Sequence, residues 1–325
     1  MADVFAYLEG FGVSGGSPNK STIIVTAPTG STVTCKMGST TKTAIEKNGV
    51  WTFGGLDLGT WTITSTKGGD SATQDVAITR LTVEYVTIVY RVTPEFTYTG
   101  DYAIVDDSDN PISDFANWKN NWKIRFLTSG TFTVTKLNGW NGQLDVFLVG
   151  GGGNGETIRG ARGGGGGYTK TVKGVSIAIA TPYTVTIGAS SGTSSAFGVS
   201  ANGAYGADGG SGGGGGGSSS GTSGNGGSNG GNGTAGNVSN GGTGQGTTTR
   251  EFGESTGKLY SGGGGGSAAY AGAAGDSTAG AGANFGGAAK NGVANTGGGG
   301  GAAYSGTAGR GGSGIAIIRN ARGAA

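Results

Sequence analysis

The chain has 325 residues, of which 78 are glycine, and it carries a formal net charge of +2 with one cysteine and no histidine. A single cysteine, Cys35, excludes an intrachain disulfide framework, and the lack of histidine excludes most zinc sites and any Ser–His or Cys–His nucleophile. The basic residues are spread rather than clustered, so we expect no nucleic-acid partner. With no signal peptide and no apolar run of membrane-spanning length, we expect synthesis in a cytoplasm and no membrane insertion.

The first half of the chain alternates like an ordinary β protein. Residues 1–20 form a short apolar segment, interpreted as a strand that caps the first domain or as an arm that attaches the protein to a larger body. Residues 21–92 contain short strands separated by turn signals such as Lys47-Asn-Gly49, which predicts an immunoglobulin-like β-sandwich. Four residues at β spacing are assigned to its core: Trp51, Phe53, Trp61 and Ile63. The motifs Gly49-Val-Trp-Thr-Phe and Leu58-Gly-Thr-Trp-Thr-Ile-Thr resemble sandwich modules of the carboxypeptidase-regulatory-like kind.

A β-prone stretch from Arg80 to Thr93 is expected to leave the sandwich and lead into the next unit. Residues 93–122 are expected to form an irregular connector. Several carboxylates lie close together between Asp106 and Asp114. They lack the alternate ligands and the glycine at the sixth position of an EF-hand loop, so Asp109-Asn-Pro111 is interpreted as a turn rather than a metal site. Whether this segment binds a cation stays open, and we expect no other metal and no cofactor.

Glycine dominates the second half, because sixteen glycines precede residue 150 and sixty-two follow from there. Apolar strands frame this region, with 143–149, 168–172, 175–180, 183–187 and 195–199 on one side and 314–318 at the end. Residues 123–325 are therefore predicted to form one glycine-rich domain. Phe252 and Tyr260 are assigned to its core.

The glycines keep a period of three, since twelve of the fourteen positions taken every third residue from Gly203 to Gly242 are glycine. Three residues per turn is the geometry of polyproline II, and the near absence of proline here argues against collagen. A flexible linker is the competing interpretation. The period, the framing strands and the regularly spaced aromatic residues favour a packed polyglycine-II helix bundle. The predicted fold class is thus all-β, a sandwich followed by a β-framed glycine-rich domain.

An ordered set of motifs resembles the glycine-rich domain of phage and prophage tail proteins. They include Leu144-Asp-Val-Phe-Leu-Val-Gly-Gly-Gly-Gly, Leu259-Tyr-Ser-Gly-Gly-Gly-Gly-Gly and Gly312-Ser-Gly-Ile-Ala-Ile-Ile-Arg. The architecture is also similar to the glycine-rich adhesins at the tip of phage tail fibres. That resemblance implies layers of polyglycine-II helices whose end loops bind a receptor.

The resulting hypothesis is a tail-fibre or tail-tip adhesin that attaches a virion to a bacterial surface, and not an enzyme. Its partners would be a cell-surface receptor, either glycan or protein, and other phage tail proteins, and fibre analogy favours a homotrimer over a monomeric tip. The predicted receptor-binding residues lie between the late glycine runs: Tyr270, Asn284, Phe285, Lys290, Asn291 and Tyr304. For each aromatic residue, packing as a lid over the glycine array is the alternative.

Three other functions stay open. A structural virion component without receptor contact is the first alternative. Ice binding would need a regular Thr or Ala array, which the mixed residues between the glycines do not supply. A histidine-free depolymerase would need paired carboxylates. The glycine-rich half offers Glu156, Asp208, Glu251, Glu254 and Asp276.

Overall fold

The computed structural model describes residues 20–67, 70–88, 93–118, 121–138, 140–158, 160–210, 223–235, 239–246, 248–267 and 270–322. The predicted attachment segment, residues 1–20, lies outside these residues except for Lys20. The described part is nearly all β, with several sheets, two 3-10 helices (Phe115–Asn117 and Glu251–Gly253) and no α-helix. The chain divides into two units. The first comprises Met1–Pro94, Ala116–Lys119 and Leu137–Asn141, and the second comprises Glu95–Phe115, Asn120–Lys136 and Gly142–Ala325.

Two four-stranded sheets form the first unit. Their strands are β1 (Ser21–Thr26), β2 (Thr32–Met37), β3 (Thr40–Lys42), β4 (Ile45–Lys47), β5 (Val50–Leu56), β6 (Gly59–Lys67), β7 (Asp70–Ile78) and β8 (Val83–Thr87). One sheet has the order β4-β5-β1-β8 and the other has the order β3-β2-β6-β7. Between β4 and β5, Asn48 and Gly49 both have positive φ, as a tight hairpin turn requires, so the predicted turn is confirmed.

Both sheets contribute to one apolar core, and strands such as β2 and β6 bury alternate side chains in it. Ile23 of β1, Trp51 and Phe53 of β5, and Trp61 and Ile63 of β6 belong to this core. Trp61 is fully buried, and its indole N–H donates to the backbone oxygen of Asp57 at 2.9 Å. The four core residues predicted from the sequence are confirmed.

Two expectations for the middle of the chain are wrong. The stretch after Arg80 does not leave the first unit at once, because β8 pairs in parallel with β1 from Thr22–Val83 to Thr26–Thr87. Residues 93–122 are not irregular throughout, since two strands of the second unit lie there. They are β9 (Glu95–Tyr98) and β10 (Tyr102–Val105). Both are only four residues long, too short for alternation to distinguish them from turns. The domain boundaries predicted from composition stay predictions.

The second unit is built on a five-stranded sheet of order β10-β11-β18-β13-β14. Its other strands are β11 (Lys123–Phe126), β13 (Gln143–Val149), β14 (Thr169–Ser176) and β18 (Ile315–Asn320). A three-stranded sheet contains β15 (Pro182–Val185), β12 (Gly130–Lys136) and β9, in that order. The aromatic rings of Phe126 on β11 and Phe132 on β12 meet at 5.4 Å.

A small hairpin replaces the single strand predicted over residues 195–199. It consists of β16 (Ser194–Ala196) and β17 (Val199–Ala201). Phe197 and Gly198 between them have φ of 52° and 76°, so the chain reverses there. Phe197 is buried, and its ring packs against Phe132 at 5.7 Å.

Strand β18 lies in the middle of the five-stranded sheet, although it is the last strand of the chain. It pairs antiparallel with β11 on one side and with β13 on the other. Ile315 and Ile317 on one face of β18 join Phe147, Phe252 and Tyr260 in a buried cluster. The assignment of Phe252 and Tyr260 to the core is confirmed.

Candidate functional site

The glycine-rich region consists of extended segments that bond to one another through their backbones. We call this set the glycine array. Its segments include 150–156, 162–168, 202–210, 239–246, 260–267, 271–275, 278–283, 287–293, 296–303 and 307–314. The segment 296–303, the central segment, bonds to residues in six others: 150–156, 162–168, 260–267, 278–283, 287–293 and 307–314. Most backbone groups of the central segment therefore find partners in neighbouring segments, and a few side chains satisfy others: Gly298 N donates to Thr296 Oγ1, and Gly262 N donates to Thr278 Oγ1 at 2.8 Å.

Bonds between segments repeat every third residue. Gly299 donates to Gly262 at 2.8 Å, and three residues later on both segments Ala302 donates to Gly265 at 2.9 Å. In the same way Gly280 and Ala283 donate to the oxygens of Gly299 and Ala302. Residues that are three positions apart on the central segment therefore face the same neighbouring segments.

Glycine is required in the array because the segments approach too closely for a side chain. A Cβ added at Gly298, Gly299, Gly300 or Gly301 would lie under 3.0 Å from a backbone carbonyl of another segment, a distance that real Cβ atoms essentially never show. The same holds in the framing runs 150–153 and 163–167. A methyl group at any of these positions would have to push two backbones apart.

One end of the array continues the five-stranded sheet. β13 ends at Val149 and leads directly into 150–156, the segment 162–168 leads into β14, and 307–314 leads into β18. Gly150 donates to Tyr168 O at 2.9 Å where these segments leave the sheet. The sheet thus fixes the ends of three segments.

Four turns lie together at the other end, which we call the apical end. They are the described residues of 157–161, 267–271, 284–287 and 303–306. Hydrogen bonds connect them: Ser267 N donates to Ala161 O, Ala271 N to Asn284 Oδ1 and Gly286 N to Ser305 Oγ. Ala303 N also donates to the O atom of Glu156, directly before the first turn. These contacts make the four turns one surface.

Apolar side chains are exposed on this surface. Phe285 is 72 % exposed, Tyr270 is 62 % exposed and Ile158 is 59 % exposed. The rings of Phe285 and Tyr304 meet at 5.0 Å with an interplanar angle of 44°. An exposed phenylalanine ring packed on a half-buried tyrosine, on loops held by a bonded scaffold, is the arrangement of a binding surface, since exposed apolar groups gain free energy when a partner covers them.

The six predicted residues divide between this surface and its flank. Tyr270, Asn284, Phe285 and Tyr304 lie in the apical turns. Asn284 uses its side-chain oxygen to hold Ala271 N at 2.7 Å, so it fixes a turn. Lys290 and Asn291 lie further along the segment 287–293, away from the apical end. Of the six predicted residues, Tyr304 is half-buried and the other five are exposed. The sequence interpretation missed Ile158 at this end and Arg310 on its flank.

Asn291 and Arg310 show why the sequence interpretation identified only some residues of the flank. The Asn291 side-chain oxygen accepts a hydrogen bond from Arg310 N at 2.8 Å, and Gly292 N donates to Arg310 O at 2.8 Å. The segments 287–293 and 307–314 are thus direct neighbours. Arg310 is flanked by Gly309 and Gly311 and belongs to no recognisable sequence motif. Only the pairing of the two segments brings its position close to that of Lys290.

A second candidate is a charged cavity of about 440 Å³ above the sheet, lined by residues such as Asp107, Asp109, Lys123, Glu254 and Arg319. Its floor is an ion-pair network. Lys123 Nζ lies 2.6 Å from Asp109 and 2.9 Å from buried Glu251. Arg319 contacts Asp145 at 3.0 Å and Glu254 at 2.7 Å. The network attaches the 3-10 helix at Glu251 to strands β11 and β18, which gives these charges a structural role.

The pKa values in this network follow from burial and charge. Burial raises the pKa of the Asp109 carboxyl, but hydrogen bonds from Lys123 and Arg125 outweigh it and hold that pKa below its ordinary value. Burial, together with the adjacent Glu251 carboxylate, raises the pKa of Tyr260 well above 10. The Tyr260 hydroxyl donates to Glu251 at 3.2 Å.

The carboxylates of Asp106, Asp107 and Asp109 are used in contacts within the protein. Asp106 accepts from the backbone N–H groups of Ser108 and Asn110, and Asp109 has a φ of 66°, so the predicted turn is confirmed. Within the described ranges, no group of three His, Cys, Asp or Glu side chains could hold a metal ion. No helix in that same part of the chain has the length and hydrophobicity of a membrane span.

The five acidic residues of the glycine-rich half are each held by another group. Glu156 pairs with Arg162, Glu251 with Lys123, and Glu254 with Arg319. Asp208 accepts from Asn225 N, and Asp276 accepts from Gly244 N. Burial opposes ionisation of Glu156, but the hydrogen bonds and charge of Arg162 keep its pKa below the ordinary value.

Comparison with known protein families identifies the family of the glycine-rich half. A family profile described as a glycine-rich domain matches residues 127–321, which is more than half of the chain. The chain belongs to this glycine-rich domain family. The matched range contains the framing strands β13, β14 and β18 together with the apical turns.

No curated protein sequence matches the chain. Among solved structures, a DUF3823 family protein from Bacteroides ovatus ATCC 8483 is similar to it at 14 % sequence identity, with 51 % of this chain and 79 % of that chain covered and a TM-score of 0.19. At this TM-score neither a fold nor a function can be transferred.

Proposed function

We propose that the glycine array is a packed bundle of polyglycine-II helices. This geometry has three residues per turn and no internal hydrogen bonds, so all its backbone groups must bond to neighbours. The three-residue repeat of the bonds and the six neighbours of the central segment support it. At ~3.1 Å per residue, the six steps from Gly297 to Ala303 would span about 19 Å. We also assign the first unit to the immunoglobulin-like sandwiches, because its two sheets share one core.

We propose that the protein is a receptor-binding adhesin of a phage tail fibre or tail tip. The observation that carries this proposal is an aromatic surface of exposed Tyr270 and Phe285 and half-buried Tyr304, on turns that a bonded glycine array holds in place. A rigid array allows its turns to vary without loss of the scaffold, as a receptor-binding surface requires. The partners would be a receptor on the bacterial surface and other tail proteins, and the protein would reside in the virion tail as a homotrimer.

Binding of the fluorescently labelled full-length protein to a panel of bacterial strains, measured by flow cytometry, tests the adhesin proposal. Phe285→Ala and Tyr270→Ala should each reduce binding by at least about tenfold, since exposed aromatics at the centre of an interface dominate its energy. Tyr205→Ala is the matched control. Tyr205 is 94 % exposed, but Ala204 beside it bonds to Gly151 next to the sheet, away from the apical end.

Equal losses in the control and the apical variants would contradict the assignment of the surface. Absence of binding to every strain would contradict the adhesin function and favour a structural virion component.

A further inference from the structure

Charge is distributed unevenly in the last part of the chain. After Asp276 the sequence contains no aspartate or glutamate, but it contains Lys290, Arg310, Arg319 and Arg322. Arg319 and Arg322 form ion pairs with acidic residues from earlier in the chain. Within the described ranges, Lys290 and Arg310 form no ion pair.

These two residues lie on neighbouring segments at the flank of the array. Lys290 O accepts from Gly301 N, and Gly301 O accepts from Gly309 N, which directly precedes Arg310. Asn291, next to Lys290, holds Arg310 N through its side chain. Both Lys290 and Arg310 are exposed, so their charges face solvent.

The same two segments carry the aromatic pair at their apical ends. Phe285 precedes the segment 287–293, Tyr304 precedes 307–314, and Ala289 N donates to Thr307 O at 2.9 Å between them. From Gly287 to Lys290 the chain advances three residues, or about 9 Å in an extended conformation. Small residues, Ala288, Ala289 and Ala308, occupy the interval. The result is a narrow strip with two aromatic rings at one end and two unpaired cations at the other.

We infer that this strip binds an acidic glycan of the cell surface, an inference that rests on the proposed adhesin function. Sugar rings present apolar faces that pack on aromatic side chains, and carboxylate or phosphate groups pair with lysine and, in a bidentate manner, with arginine. A neutral glycan would use only the aromatic end. An acidic protein loop would pair with the cations but has no sugar ring to pack on the aromatic pair.

Titration of the full chain with a short oligogalacturonate, followed by NMR chemical shifts at low salt, tests the inference. The probe should shift resonances of the strip, and its methyl ester should bind at least about tenfold more weakly, because two ion pairs are lost. The double variant Lys290→Gln/Arg310→Gln should lose the same factor, and Phe285→Ala should weaken both probes. The control Lys170→Gln/Lys173→Gln, which removes two exposed charges from β14, should bind like the wild type.

The inference is overturned if the acid and its ester bind equally, if the strip does not respond, or if an oligoaspartate binds as well as the oligogalacturonate. Cell binding separates this inference from the proposal on which it rests. If Phe285→Ala loses binding to cells but Lys290→Gln/Arg310→Gln binds fully, the inference of an acidic glycan is overturned and the adhesin proposal is retained. Full binding by both variants would contradict both.

Discussion

At individual glycines of the central segment, the backbone of another segment occupies the space that a side chain would need. A Cβ at Gly300 would lie under 3.0 Å from the carbonyl of Gly309. We therefore expect Gly300→Ala to lower the free energy of unfolding of the second unit by at least about 2 kcal/mol, because overpacking forces backbones apart. Limited proteolysis under increasing urea, with fragments mapped by mass spectrometry, measures this change for each unit.

Gly54→Ala is the matched control, because nothing lies within 4 Å of a Cβ at Gly54 and its φ is not positive. Its effect on the first unit should stay within about 0.5 kcal/mol. Equal tolerance of Ala at Gly300 would mean that the segments are not packed against each other as described.

A second residue-scale prediction concerns pH. Ion pairs with Lys123 and Arg125 depress the pKa of Asp109 in the folded state, so the stability that Asp109 contributes is present above its unfolded pKa, near 3.8, and is lost as pH falls through the folded pKa. Because the side chain is 30 % exposed, solvent screens part of the effect, and we expect Asp109→Asn to cost about 1 kcal/mol at pH 7. Urea midpoints of variant and wild type should approach each other as the pH falls below 3.8 and through the depressed folded-state pKa of Asp109. A difference that stays undiminished until acid unfolds both proteins would refute the explanation.

At the scale of elements, the five-stranded sheet depends on its central strand. Ile317 of β18 is fully buried among Phe147, Phe252 and Tyr260. We expect Ile317→Ala to destabilise the second unit by about 2–4 kcal/mol, since it removes buried methyl groups and leaves a cavity. The control Ile179→Ala, at a residue that is 49 % exposed, should change stability by less than about 1 kcal/mol. Similar losses for both, measured by urea unfolding, would contradict the central position of β18.

The sequence predicts longer strands better than short ones. Strands such as β13 were recognisable because buried apolar runs lead into glycine. By contrast, β9, β10 and the Phe197–Gly198 reversal were missed, because three or four residues carry too little periodicity and a phenylalanine rarely adopts positive φ. The pairing of β18 between β11 and β13 brings together residues almost two hundred positions apart, which no local pattern encodes.

The period of three predicts polyglycine-II segments but does not locate the centre of the array. A segment at the edge needs glycine only where it touches a neighbour, one residue in three. The segment 296–303, with six neighbours, carries the uninterrupted run Gly297–Gly301. Continuous glycine is thus the better indicator of the interior, because every face of the segment meets another backbone.

For the molecule as a whole, the candidate site could be predicted only in part. Tyr270, Phe285 and Tyr304 stand out in sequence because large rings interrupt glycine. Their meeting at one end depends on segment lengths and pairing, and Arg310 joins Lys290 only through the contact between two segments. The arrangement of turns is therefore a property of the assembled array.

Amide hydrogen exchange across residues 296–303 of the full-length protein tests the central claim most directly, namely that the array is a bonded block. If the central segment is bonded to six neighbours, the amides of Gly299 and Gly300 should exchange at least about a thousandfold more slowly than free coil, while the amide of exposed Ser305 in the neighbouring turn exchanges fast. Exchange of Gly299 and Gly300 at coil rates would contradict the packed array and, with it, the binding surface that the array supports.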